Sequence, residues 1–92
     1  MKIIEINGKK YEIVRNDKDC LKKDELEEKL TEYFDDFDYI FGDYSYDKVR
    51  LKGYNDSNNK KVKKINDIKY LDEYITTYCS YGARVFLIKK VD

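Results

Sequence analysis

The chain has 92 residues, which is long enough for one domain and too short for two. Lys and Arg number 19 and Asp and Glu number 19, so the formal net charge is zero and no global field attracts the chain to nucleic acid or to an anionic membrane. Charged residues make up 41% of the chain, yet the signs balance and aromatic residues reach 15%, which favours a folded protein over a disordered one.

Several common chemistries are excluded by what the sequence lacks. There is no His, which removes Ser-His and Cys-His nucleophile pairs and the HExxH zinc site. The four glycines are isolated, so neither a Walker A loop nor a GxGxxG turn can be written. Cys20 and Cys79 form no CxxC pair and are predicted to be reduced thiols. We therefore expect no enzyme and no metal or other cofactor. Because no apolar run approaches the length of a membrane span, we also expect a cytosolic protein.

The first half of the chain predicts a hairpin followed by a helix. Asn7-Gly8 separates two strand-like segments, residues 2–6 and 10–14, and this dipeptide favours a type I′ turn. Asp24, with Glu27 as its capping-box partner, predicts the start of a first helix over residues 24–36.

The second half predicts another hairpin, a helix and a final strand. Residues 39–42 predict a short buried strand, and the alternation over residues 46–54 predicts its partner. Residues 55–64 lack periodicity and predict a solvated loop. A second helix begins at residue 66 or 67, and residues 83–91 form a last strand that is apolar on both faces and therefore central. The order ββαββαβ indicates a single α+β domain over all 92 residues, with two helices packed on a mixed or antiparallel sheet.

The zero net charge conceals an uneven distribution along the chain. Residues 17–47 carry twelve acids and four bases, whereas residues 48–70 carry eight bases and two acids. We therefore expect the folded domain to have an acidic side and a basic side.

The basic half contains a strand face on which aromatic and cationic side chains alternate with apolar ones. This face comprises Tyr46, Lys48, Arg50, Lys52 and Tyr54. Rings that stack on bases and cations that neutralise phosphates are what single-stranded RNA or DNA requires. The alternative is an ordinary exposed edge strand, which lysines protect from unwanted pairing.

Four aspartates crowd the predicted end of the first helix and the strand that follows: Asp35, Asp36, Asp38 and Asp43. Clustered carboxylates suit Mg²⁺ or Ca²⁺, but the spacing matches no EF-hand loop. Asp at a helix C-terminus also opposes the helix dipole. A solvated acidic face, or ion pairs to the Lys-rich strand, is the alternative interpretation.

Four segments together carry a resemblance to a known family: residues 4–14 (IEINGKKYEIV), 33–43 (YFDDFDYIFGD), 50–54 (RLKGY) and 78–82 (YCSYG). They resemble the YutD-like family of small cytosolic proteins of Firmicutes and their wall-less relatives. The chain departs from the family at Tyr44, where Trp is frequent, and at Asp47, where Gly is common. The resemblance implies a single α+β domain in a bacterial cytosol, and it implies no reaction.

The sequence thus favours a non-enzymatic interaction module whose charge-split surface docks a protein or ribonucleoprotein partner. The alternative is a single-stranded RNA- or DNA-binding protein that uses the face of residues 46–54, and an enzyme with carboxylate-bound Mg²⁺ ranks third. The candidate interaction surface comprises Asp38, Asp43, Tyr44, Tyr46, Lys48, Arg50, Lys52 and Tyr54. Asp43 and Arg50 could instead form a structural ion pair. Gly42 and Gly53 could instead serve only the geometry of the backbone.

Overall fold

The chain folds as one five-stranded sheet between two short helices, in a computed structural model that describes residues 2–79 and 82–91. The elements in chain order are β1 (Ile3–Ile6), β2 (Lys9–Asn16), α1 (Lys23–Lys29), β3 (Tyr39–Ser45), β4 (Lys48–Tyr54), α2 (Leu71–Tyr78) and β5 (Val85–Val91). The order across the sheet is β1-β2-β5-β3-β4, and every strand pair is antiparallel. The predicted α+β class and the order ββαββαβ are confirmed.

Strand β5 lies at the centre of the sheet, as its two apolar faces predicted. Phe86 and Ile88 point into a core that includes Leu26 of α1. Val85 and Leu87 point into a second core on the other face, which includes Leu71 of α2. We call these two sides of the sheet the α1 face and the α2 face. Each side is sealed by a helix of about two turns.

Two-residue turns close both hairpins. Asn7 and Gly8 have φ of 53° and 79°, which is the predicted type I′ geometry. Tyr46 and Asp47 form the second turn with φ of 52° and 64°. Tyr46 was predicted to lie on the strand, and this prediction is wrong. It occupies a left-handed conformation that tyrosine rarely adopts.

The first helix is shorter than predicted and begins one residue earlier. Helix α1 ends at Lys29 because Leu30 is extended, and the chain turns again only as a 3₁₀ segment, Glu32–Asp36. The N-cap is Lys22, so the predicted Asp24 cap and the continuous helix over residues 24–36 are wrong. Asp24 lies in the first turn, where a negative charge complements the helix dipole. Because the helical spacing of apolar residues continues past Leu30, the sequence pattern does not reveal that the helix ends there.

The second half follows the prediction more closely. Strand β3 continues to Ser45, beyond the predicted residues 39–42, and β5 begins at Val85. Asp67 caps the 3₁₀ turn Ile68–Tyr70, which leads directly into α2, because its Oδ1 accepts a hydrogen bond from the Lys69 amide at 3.1 Å. The predicted cap is thus present, but α2 itself begins only at Leu71. The loop after β4 does not begin in solvent, since Asn55 is buried.

Gly42 and Gly53 make room for aromatic rings. A Cβ atom on Gly42 would overlap the ring of Phe86, and one on Gly53 would overlap the ring of Phe37. Neither glycine has a positive φ. Close packing, and not backbone geometry, therefore requires glycine at both positions.

Gly42→Ala is expected to lower the free energy of unfolding by about 1–3 kcal/mol, because the added methyl group overpacks the buried Phe86 ring. Urea denaturation followed by circular dichroism measures this loss. In a Phe86→Leu background the same substitution should cost less than about 1 kcal/mol, because the overlap is relieved. Equal losses in the two backgrounds would contradict the packing argument.

Candidate functional site

The eight candidate residues do not form one surface. Four of them project from β4 towards the α2 face, as the alternation predicted: Lys48, Arg50, Lys52 and Tyr54. Tyr44 projects to the α1 face. Tyr46 stands at the tip of the β3–β4 hairpin with 98% of its surface exposed.

Asp43 and Arg50 form an ion pair between directly opposed residues of β3 and β4. Asp43 is only 3% exposed. The Arg50 Nε donates to its Oδ1 at 3.0 Å, and the Arg50 Nη2 donates to its Oδ2. A buried carboxylate that receives two charge-assisted hydrogen bonds stabilises the hairpin. This is the structural role given above as the alternative for the pair.

The thiol of Cys79 lies beside the same carboxylate, with its Sγ 3.5 Å from the Asp43 Oδ2. Burial, together with the charge of Asp43, raises the pKa of Cys79 to about 11. The thiol is therefore protonated at neutral pH and poorly suited to act as a nucleophile. Cys20 and Cys79 are both free, and they pack on opposite faces of the sheet.

The four clustered aspartates of the sequence are held apart in the fold. Asp35 pairs with Lys9, and Asp36 pairs with Lys61 at 3.1 Å. Asp38 accepts two hydrogen bonds from the loop that follows β4 and so anchors that loop. Across residues 2–79 and 82–91, no three acidic or cysteine side chains gather closely enough to hold a metal ion.

Tyr44 fastens β3 to the segment that precedes α1. Its hydroxyl donates to the Cys20 carbonyl at 2.7 Å. Burial, and then the neighbouring carboxylate of Glu25, raise the pKa of Tyr44 to about 12. These contacts give Tyr44 a structural function on the α1 face.

The face of residues 46–54 does not present two rings to a nucleic-acid strand. Tyr54 is 1% exposed, and Tyr46 belongs to the turn. Arg50 is bound to Asp43. An aromatic platform for bases therefore does not exist along β4 in this conformation.

An open groove of about 640 Å³ lies between β4, α2 and the segment that connects them. We call it the tyrosine groove and define it by Lys52, Lys64, Ile65, Tyr70, Tyr74 and Tyr78. The three tyrosines recur every four residues, so the helical turns place them on one side.

Lys52 holds the base of the tyrosine groove together. Its Nζ lies 4.3 Å from the ring centroids of both Tyr54 and Tyr74. The same ammonium group donates to the Tyr54 hydroxyl at 2.9 Å and to the Ile65 carbonyl at 2.8 Å. Burial lowers the pKa of Lys52 and raises that of Tyr54. Because one side chain ties the sheet, α2 and the connecting segment together, the walls of the groove are preformed.

The rim of the tyrosine groove exposes large apolar side chains. Ile65 is 74% exposed and Tyr78 is 69% exposed, and Tyr70 is partly exposed between them. The Tyr78 ring is 5.1 Å from that of Tyr74, so it continues the aromatic wall outwards. Aromatic residues gathered with cations are typical of protein-binding surfaces. No motif in the sequence predicts this site, and the local signal for it is the four-residue spacing of Tyr70, Tyr74 and Tyr78.

A second depression, of about 660 Å³, lies beside Arg15, Cys79 and Arg84. None of its described lining residues is an exposed large apolar residue. Arg15 is already paired with Asp17 at 2.9 Å. The tyrosine groove is therefore the better candidate for a binding site.

Comparisons with known proteins identify the class of this α+β domain. A family model described as "Putative antitoxin YutD-like" matches residues 5–89, so the chain belongs to the YutD-like family, as the resemblance implied. The chain is similar to "Putative antitoxin YutD" of Bacillus subtilis (strain 168), with 35% identity over 89 residues, 97% of this chain and 98% of that protein. It is also similar to the solution NMR structure of protein yutD from B. subtilis, with a TM-score of 0.78 and 34% identity over 99% of this chain and 83% of that one.

The family description does not name an enzyme. Neither α1 nor α2, nor any other helical segment in the described part of the chain, has the length and apolarity needed to span a membrane.

Tyr44→Phe is expected to make stability less sensitive to alkaline pH. The pKa of the Tyr44 phenol is about 12 in the folded state, against about 10 for a tyrosine in the unfolded chain. The phenol therefore makes its full contribution to stability below a pH of about 10, and this contribution is lost as the pH rises through about 12. Over that window the free energy of unfolding should fall more steeply for the unmodified chain than for the variant. Urea denaturation at a series of pH values measures both slopes. Tyr33→Phe, which removes an exposed hydroxyl, is the control, and equal slopes for Tyr44→Phe and the unmodified chain would contradict the assignment.

Proposed function

We propose that this chain is a non-enzymatic protein-binding module that docks a partner protein through the tyrosine groove. The observation that carries the proposal is the gathering of Ile65, Tyr70 and Tyr78, all exposed, in one concave and preformed site. Single exposed apolar residues are ordinary on a protein surface, whereas a cluster of them in a groove indicates a binding site.

The residue types in the groove support this function. Tyrosine is enriched among residues that dominate binding energy, because its ring is large and its hydroxyl tolerates water in the unbound state. Lys52 already fixes the segment Lys64–Asn66 against the sheet, so docking need not order that segment. A preformed site loses less conformational entropy on binding, which favours affinity.

The charges around the groove indicate the chemistry of the partner. Lys64 stands on the rim and Lys69 lies one residue before Tyr70, whereas Glu73 is the acidic residue of the groove lining. Five of the nine residues that line the groove come from the basic half of the chain, and the other four come from α2, while the acidic α1 lies on the opposite face of the sheet. A segment that carries acidic side chains beside an apolar or aromatic anchor complements this surface.

The family also supports a partner. An antitoxin acts on a toxin, so the description shared by the family and its B. subtilis member implies a second molecule. The groove provides a place for one on this chain.

Site-specific photo-crosslinking in the host cell tests the proposal. A photo-reactive phenylalanine derivative replaces Tyr78 in one strain and Tyr33 in another. The two positions are matched, because Tyr33 is 67% exposed and lies in the 3₁₀ segment after α1, on the opposite side of the sheet. The proposal requires a protein adduct that forms from position 78, does not form from position 33, and survives nuclease. An adduct that nuclease destroys would indicate a nucleic-acid ligand and contradict the proposal.

Tyr78→Ala is expected to weaken binding of the captured and purified partner by at least about 30-fold, as truncation of an interface hot spot does. Isothermal titration calorimetry measures the affinity. Tyr78→Phe should retain most of the affinity because it keeps the ring, and Tyr33→Ala should retain all of it. Since the ring of Tyr78 is largely exposed, its removal should leave the thermal unfolding midpoint nearly unchanged. An affinity of Tyr78→Ala equal to that of the unmodified chain would contradict the role of the groove.

A further inference from the structure

We infer that the partner segment binds as an added β-strand along the free edge of β4, beside the tyrosine groove. This inference rests on the proposed function, because it specifies the mode of binding at the same site. Addition of a strand satisfies backbone hydrogen bonds of an exposed sheet edge while alternate side chains reach neighbouring pockets.

The hairpin geometry determines which backbone groups of β4 face outwards. Strand β4 pairs only with β3, and Ser45 opposite Lys48 closes the two-residue turn. Antiparallel pairing then alternates, so Val49, Leu51 and Gly53 direct their N–H and C=O groups away from β3.

The next residue of this alternation confirms the geometry. The Asn55 amide donates to the Asn66 carbonyl at 2.7 Å, and the Asn55 carbonyl accepts from the Ile68 amide at 2.9 Å. These bonds form the parallel bridge between Asn55 and Asp67. The chain itself therefore already occupies the far end of this edge with a strand-like neighbour.

The edge is open at Val49 and Leu51, which are half-buried, whereas Gly53 is buried. Within residues 2–79 and 82–91, the outward N–H and C=O groups of Val49 and Leu51 have no hydrogen-bond partner. The opposite edge of the sheet, β1, is shorter, with four residues against seven. β4 is thus the better template for an added strand.

Two cationic side chains of β4, those of Arg50 and Lys52, bind groups of their own sheet and do not block its edge. Lysines on an edge strand usually discourage pairing with another chain. Here the Arg50 guanidinium is bound to Asp43, and the Lys52 ammonium is folded onto the Tyr54 and Tyr74 rings. Both side chains are drawn back over their own sheet, so they leave the backbone of the edge accessible.

Charge decides what kind of strand can bind. Antiparallel pairing of two β4 edges over residues 48–52 would place Lys48 of one copy beside Lys52 of the other. Asp43 neutralises Arg50, whereas neither lysine has an ion-pair partner among the described residues. Like charges opposed across strands are destabilising, so a second copy of this chain is disfavoured. The fitting occupant is a partner segment whose acidic residues lie beside Lys48 and Lys52 on the α2 face.

The two faces of β4 set the pattern of that segment. On the α2 face, its acidic side chains would alternate along the strand with an aromatic anchor that reaches Tyr78. On the α1 face, its side chains would lie beside Val49 and Leu51, which are half-buried and apolar. We expect acidic or aromatic residues alternating with β-branched apolar ones.

A library of peptides of about ten residues displayed on phage, selected against the full chain, is the probe, since that length covers the edge with some excess. The selected peptides should show the acidic–apolar alternation. A synthetic selected peptide is then added at saturation to the ¹⁵N-labelled chain, and amide hydrogen exchange is followed by NMR. The amides of Val49 and Leu51 should exchange at least about tenfold more slowly than in the free chain. Those of Arg50 and Lys52, already bonded to β3, should slow by no more than the general stabilisation that bound peptide gives the fold.

Four results would separate or overturn the two proposals. If Tyr78→Ala abolishes peptide binding but the amides of Val49 and Leu51 in the peptide-bound unmodified chain exchange as in the free chain, the groove function stands and strand addition is wrong. If the amides are protected and Tyr78→Ala binds normally, strand addition stands and the groove is not the anchor site. Selected peptides that bind without acidic alternation overturn the predicted occupant, and a selection that enriches no peptide overturns strand addition.

Discussion

The central strand β5 must be covered on both faces, and the rest of the structure follows from this constraint. Four consecutive residues, Val85, Phe86, Leu87 and Ile88, are buried, with alternate members in the two cores. A chain of 92 residues has little material with which to cover two faces. It does so with one helix of seven residues and one of eight.

The short α2 explains why a groove remains beside β4. Leu71 and other apolar residues of the helix cover the buried strands, and Tyr74 reaches the ring of Phe41 on β3 and that of Tyr54 on β4. Next to these contacts the sheet is covered by the Lys52 side chain, whose ammonium group lies against the Tyr54 and Tyr74 rings. A lysine thus occupies a place that an apolar side chain would fill in a larger core. The boundary of a small core thereby becomes a preformed aromatic surface with a lysine at its base.

Part of the high charge content stabilises the structure. Ion pairs join elements that are distant in sequence, such as Lys9 with Asp35 and Lys61 with Asp36. Among the residues that the structure describes, no buried side-chain nitrogen or oxygen lacks a hydrogen-bond partner. The acidic and basic halves of the sequence neutralise each other at two ion pairs, Lys61 with Asp36 and Arg50 with Asp43.

Local sequence patterns predicted the features that local physics controls: the Asn7-Gly8 turn, the Asp67 cap and the apolar central strand. They failed where a tertiary contact determines the structure, or where the backbone changes conformation at a residue type that does not signal the change. The break at Leu30 interrupts no apolar spacing, and Tyr46 adopts a positive φ without the usual glycine. The alternation along β4 correctly predicted which residues share a face, but it could not show that α2 buries Tyr54. The groove itself joins Ile65 of the connecting segment to Tyr78 of the helix, and no spacing rule relates these two residues.

Chemical-shift mapping distinguishes the tyrosine groove from the α1 face as the place where the partner binds. The ¹⁵N-labelled full chain is titrated with the partner captured by crosslinking, and backbone amide shifts are followed by NMR. The account predicts that the largest shifts lie in β4 and in residues 64–78, around the tyrosine groove. Shifts confined to α1 and the Glu32–Asp36 segment would place the partner on the opposite face and contradict it.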